Sequence, residues 1–167
     1  MDIVKSSPAQ AASEEFPEES LNQLTHGAGL ALSIVGSIRL LSQTSIDVYL
    51  KAGCWIYAIG LVVLYAASTL SHSYVCEPRR TRYRTFDQVA IFIMMAATYT
   101  PVSLAACGTS LWNVPMVLMW LMAGLGTYLK LRVTRTEMVP VWFYVILGLL
   151  PLLAFPQLVQ NLSLIHI

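Results

Sequence analysis

Residues 88–129 read QVAIFIMMAATYTPVSLAACGTSLWNVPMVLMWLMAGLGTYL and hold no Asp, Glu, Lys or Arg. One membrane-crossing helix needs roughly 20 apolar residues, so this run is too long for a single crossing. A turn signal, Gly108-Thr109-Ser110 followed by Asn113 and Pro115, falls near its middle. The stretch therefore predicts two transmembrane helices, about 86–107 and 111–131, joined by a tight hairpin.

Two more charge-free runs, 52–76 and 138–167, predict a second span at about 52–75 and a fifth at about 139–162. A first span fits 22–42. The expected fold is all-α: a polytopic transmembrane helical bundle with five spans over 21–167, preceded by a flexible tail over 1–20. That tail carries Pro8, Pro17 and four glutamates (Glu14, Glu15, Glu18 and Glu19) and lacks the basic start and apolar run of a secretory signal. The first span is then expected to direct insertion itself. Pro101, Pro151 and Pro156 fall inside spans and predict kinks.

Composition agrees with this reading. Hydrophobic residues are 56% and charged residues 11% of the chain, and mean hydropathy is +0.63, which leaves too little polar surface for a water-soluble domain. A net charge of +1 makes nucleic acid an unsuitable partner; the expected partner is the lipid bilayer. Cys54, Cys76 and Cys107 have neither zinc-ribbon spacing nor the density of a disulfide scaffold, and read as small packing residues.

Basic residues near span ends are retained in the cytoplasm. Eight of the ten Lys and Arg (Lys5, Arg79, Arg80, Arg82, Arg84, Lys130, Arg132 and Arg135) fall on one side of the five spans, against Arg39 and Lys51 on the other. The amino terminus is thus expected in the cytoplasm, in a bacterial plasma membrane.

Polar residues inside membrane helices cost free energy unless paired or functional. Glu19, Asn22 and His26 share one face of span one at i, i+3 and i+7; Ser68 and His72 share one face of span two at i and i+4; Asp87 opens span three. All six are expected in the cytoplasmic half of the bilayer. Such a set suits a metal-activated water, with imidazole binding zinc and carboxylate or hydroxyl orienting the water. Each residue also has a plainer reading. His26 and His72 can be interfacial hydrogen-bonded histidines, Asp87 a helix N-cap, Ser68 a hydroxyl bonded to its own helix, and Glu19 part of a solvated acidic tail.

Four segments carry a family resemblance: Glu19-Ser-Leu-Asn22-Gln-Leu-Thr-His26-Gly27, Tyr65-Ala-Ala-Ser68-Thr-Leu-Ser-His72-Ser73, Arg84-Thr-Phe-Asp87 and Ala97-Thr98-Tyr99-Thr100-Pro101. In order, spacing and placement they resemble the successive signatures of the hemolysin III and adiponectin-receptor-like family. The resemblance implies a seven-span bundle with its amino terminus inside and a zinc site near the cytoplasmic face. It implies His72 as a zinc ligand, two further ligands in an HxxxH pattern on the seventh span, and Ser68 and Asp87 as partners of the bound water. Gln88 stands where bacterial members usually have histidine; it can hydrogen-bond but cannot serve as a cationic acid. The HxxxH pair is not found in this sequence, and His166 has no partner at that spacing. The chain therefore reads as a family member truncated at its carboxyl end, its zinc site incomplete and its own activity not expected.

The activity so implied is zinc-dependent hydrolysis of a lipid-derived amide or ester. The alternatives are a pore-forming or receptor-like membrane protein, or an inactive fragment. A pore needs a polar stripe through several helices, whereas here the ionisable residues stop at one leaflet.

Overall fold

The structure, a computed structural model, describes residues 8–44, 47–74, 76–105, 110–132 and 140–154. Five α-helices follow one another: α1 Pro8–Gln43, α2 Val48–Ser73, α3 Arg79–Ala105, α4 Ser110–Arg132 and α5 Val141–Leu149, with a 3-10 turn over Leu150–Ala154. Among the described residues every regular element is helical. Four segments are long and apolar enough to cross a membrane: Glu18–Gln43, Val48–Ser73, Arg79–Ala105 and Asn113–Arg132. A shorter apolar helix covers Val141–Leu153.

Helix limits reflect local chemistry. Ahead of its apolar segment α1 extends back to Pro8 through a stretch rich in Ala, Gln and Glu, residues that favour helix. Asp47 caps α2, its Oδ1 accepting the Leu50 N–H at 2.7 Å. α3 starts at Arg79, two turns before the expected start of its span, and so carries the arginines into the helix. Ala105 and Ser110 bracket the expected hairpin, whose residues 106–109 lie outside the described ones, as does the second half of the expected fifth span with Pro156. Pro151 has no N–H to give to the Leu147 carbonyl, and the α-helical ladder yields to the 3-10 turn at that point.

α2 packs most extensively on α3, then on α1, while α3 also packs on α4. The α2–α3 contact depends on absent side chains: a Cβ on Gly53 would stand 2.5 Å from Pro101 Cα. Without a hydrophobic force between helices in lipid, such close backbone approach supplies the dispersion energy that holds them. A second cluster joins α3, α4 and α5 through Phe92, Ala96, Tyr99, Met119, Ala123, Phe143 and Leu147. Phe92 stacks on Tyr144 with centroids 4.8 Å apart and meets Phe143 edge-on at 5.6 Å. Lys130, counted from the sequence among the interfacial cations, is buried in the last turn of α4. The outward faces are apolar, with Leu24, Leu32, Val35, Val63 and Leu121 exposed as lipid contact requires. The fold is a polytopic helical membrane bundle.

Candidate functional site

The site forms where the start of the membrane-crossing part of α1 (Glu18–Gln43), the end of α2 and the first turns of α3 come together. From there α1 runs toward the far side, α2 returns and α3 departs again, so the three segments meet at one depth.

Glu19 is the centre of the charged part. Its Oε2 lies 2.6 Å from His72 Nδ1, and its Oε1 accepts from Arg84 Nη2 at 2.9 Å and from Arg80 Nη2 at 3.2 Å. The Glu19 side chain is 16% exposed. A carboxylate so withdrawn from water loses several kcal/mol of hydration unless cations and donors replace it; here two guanidiniums and an imidazole do so. Glu19 is therefore not part of a solvated tail. Arg80 and Arg84, four apart on α3, present on one helical face.

His72 and His26 lie with ring centroids 5.2 Å apart. They have different partners: His72 takes Glu19, while His26 Nδ1 lies 2.6 Å from Ser68 Oγ. Tyr65 packs edge-on against the His26 ring at 6.3 Å. A Cβ on Gly29 would collide with the Tyr65 ring, so glycine there lets Tyr65 reach its place.

Asp87 sits within α3 rather than at its N-cap, and Ser71 Oγ donates to its Oδ2 at a long 3.4 Å. Gln23 Nε2 donates to Ser73 Oγ at 3.0 Å, a further brace between α1 and α2. Asn22 lies on the exposed side of α1, and among the described residues its side chain joins none of these pairs. Gln88 keeps its Oε1 buried and, among the described residues, without a hydrogen-bond partner.

The structure thus joins Glu19, His26, Ser68 and His72 in one cluster, places Asp87 beside it through Ser71, and leaves Asn22 apart. The sequence reading missed Arg80, Arg84 and Ser71. The two arginines had a legible signal, their i, i+4 spacing beside an acidic span entrance, but were read for topology alone. Ser71 had none, since any serine one turn from the site looks the same.

Zinc takes three or four ligands. Among the described residues no three His, Cys, Asp or Glu side chains converge as a metal site. His72 Nδ1 is engaged by Glu19, which leaves Nε2 as its metal-binding atom, but among the described residues it stands without the further converging ligands that a zinc ion needs.

Comparison with known proteins places the chain among related sequences. The description of haemolysin-III related proteins matches residues 14–166. The chain is 29% identical over 153 residues to the hemolysin-3 homolog of Bacillus subtilis, an overlap of 87% of this chain and 70% of that protein. It is 31% identical over 149 residues to hemolysin-3 of Bacillus cereus, with 87% and 68% covered. It is 34% identical over 145 residues to the monocyte to macrophage differentiation factor of Homo sapiens, with 81% of this chain and 59% of that protein covered. No solved structure matches the chain. With its helical membrane bundle and the match along nearly its whole length, the chain belongs to the haemolysin-III related family.

Proposed function

We propose that this protein carries a hydrolytic site for lipid-derived amides or esters at the cytoplasmic leaflet, in a bacterial plasma membrane with its amino terminus inside. The observation that carries the reading is the Glu19–His72 pair at 2.6 Å. A carboxylate accepting from Nδ1–H holds the imidazole in one orientation and leaves Nε2 with a free lone pair. That is the state required of a general base or a metal ligand. Arg80 and Arg84 bond the other oxygen of the Glu19 carboxylate, and Asp87 stands nearby as a second carboxylate. The position suits a lipid substrate, whose polar group would enter from the cytoplasmic interface while its chain stays in the bilayer.

Zinc enters this reading through the family resemblance, with His72 as the residue that would bind it. A bound zinc would supply an acidified water. The described residues supply the orientation of His72 and a polar, partly water-excluded surround.

The test is fatty-acid release from a short-chain ceramide by the full chain in nanodiscs, with and without added zinc. Release that is lost in both His72→Ala and Asp87→Ala supports the hydrolase. Ion conductance that survives both substitutions, with no release at all, overturns it in favour of a pore. The pore reading draws no support from the fold, because the cluster of ionisable side chains stays at one end of the bundle.

A further inference from the structure

Of the four arginines in the first turns of α3, Arg80 and Arg84 hold Glu19, and Arg79 lies over the Tyr74 ring at 5.9 Å. Arg82 stands about 200° around the helix from both Arg80 and Arg84, on the side away from Glu19. There it lines an open cleft of about 630 Å³ between the start of α3 and the end of α4. Glu77 lines the same cleft. Among the described residues the Arg82 guanidinium has no partner, and the Glu77 carboxylate accepts only the Thr81 N–H, at 3.3 Å. Two opposite charges therefore share one cleft without pairing with each other. The Thr81 hydroxyl lines it as well and donates to nothing among the described residues. One turn further into the membrane, about 6 Å along α3, the lining becomes apolar, with Phe86 and Leu131 of α4 both exposed.

We propose that this cleft binds phosphatidylethanolamine, with the lipid phosphate on Arg82, its ammonium on Glu77 and the start of its acyl chains on Phe86 and Leu131. A guanidinium offers planar paired donors that match phosphate oxygens. An ammonium has three N–H donors and no acceptor, which suits a carboxylate with an oxygen to spare. Charge complementarity selects this lipid among the common headgroups. Choline carries the same charges but has no N–H for Glu77, and a glycerol headgroup brings no cation to answer it. A soluble phosphoethanolamine lacks the chains that the exposed Phe86 and Leu131 are placed to cover. The volume falls in the usual range of small-molecule sites, roughly 300–1,000 Å³. The cleft lies across α3 from Glu19, and the proposal rests neither on the hydrolase reading nor on which end of the bundle faces the cytoplasm.

The experiment titrates the full chain in detergent micelles with the dioleoyl forms of phosphatidylethanolamine, phosphatidylcholine and phosphatidylglycerol in turn, and reads bound lipid by native mass spectrometry. Phosphatidylethanolamine is expected to half-saturate one site at about tenfold lower concentration than either of the others. Glu77→Gln, which keeps an acceptor for the Thr81 N–H, should abolish the preference over phosphatidylcholine. Arg82→Gln should weaken all three lipids by about tenfold, and Lys51→Gln at the far end of α2 should change nothing. The proposal is overturned if the unsubstituted chain binds the three lipids equally, or if Glu77→Gln and Arg82→Gln both keep the preference. Tighter binding of phosphatidylglycerol that persists in Glu77→Gln overturns it in favour of a site for anionic lipids. A phosphatidylethanolamine with a diazirine near the start of one acyl chain locates the bound lipid on the unsubstituted chain, independently of how the variants fold. Cross-links to Phe86 or Leu131 support the proposal, and cross-links confined to α1 and α2 overturn it.

Discussion

Glu19 on α1 and His72 on α2 meet at 2.6 Å, and Arg80 and Arg84 of α3 close on the second oxygen of the same carboxylate. One acidic side chain thereby joins three helices at one end of the bundle.

Glu19→Ala is expected to cost about 1–3 kcal/mol, because it leaves a half-buried arginine and an imidazole without their acceptor. Arg84→Ala should cost under about 1 kcal/mol, since Arg84 is 49% exposed and water replaces its contact. Arg80, at 21%, should fall between. Unfolding in mixed micelles, followed by tryptophan fluorescence, ranks the three variants. An Arg84→Ala loss larger than that of Glu19→Ala removes the carboxylate from its central place.

The α2–α3 seam has its own test. Gly53→Ala puts a methyl group against the Pro101 backbone, where neither helix has a flexible side chain to move, and a loss of about 1–3 kcal/mol is expected. Gly36 and Gly124 have nothing within 4 Å of an added Cβ. Alanine at either should be neutral or stabilise by up to about 1 kcal/mol through helix propensity. Equal effects at all three glycines in the same unfolding assay contradict the close packing.

Leu147→Ala probes the attachment of α5. Leu147 is fully buried in the cluster with Phe92 and Phe143, and its truncation leaves a cavity costing about 2–5 kcal/mol. The expected readout is a lower unfolding midpoint. An unchanged value places α5 outside the stable unit.

Orientation is tested through the native cysteines in a Cys107→Ala background. Cys76 is exposed in the connection between α2 and α3, and Cys54 is buried. A membrane-impermeant maleimide should label Cys76 in inverted vesicles but not in intact spheroplasts, and Cys54 in neither. Labelling of Cys76 from outside reverses the proposed topology.

Much of the architecture was legible because a bilayer imposes a strong one-dimensional code. Runs without charge longer than a helix needs, interrupted by Gly108-Thr109-Ser110, locate helices whatever they pack against, since unpaired backbone cannot remain in hydrocarbon. Helix ends were less legible. α3 reaches back to Arg79, and Arg80 and Arg84 in its first turns meet Glu19, a partner more than sixty residues away that no local window contains.

By itself the sequence determined that this is a helical membrane protein, which family it resembles and which polar side chains enter the spans at one end, because hydropathy and motif spacing are properties of the chain alone. Only the tertiary structure decided the pairings: His72 with Glu19, and Ser68 with His26 rather than with its own helix. Helical periodicity places these residues on faces, but which faces meet is set by how closely α1 and α2 approach, and that depends on packing at positions such as Gly29 and Tyr65.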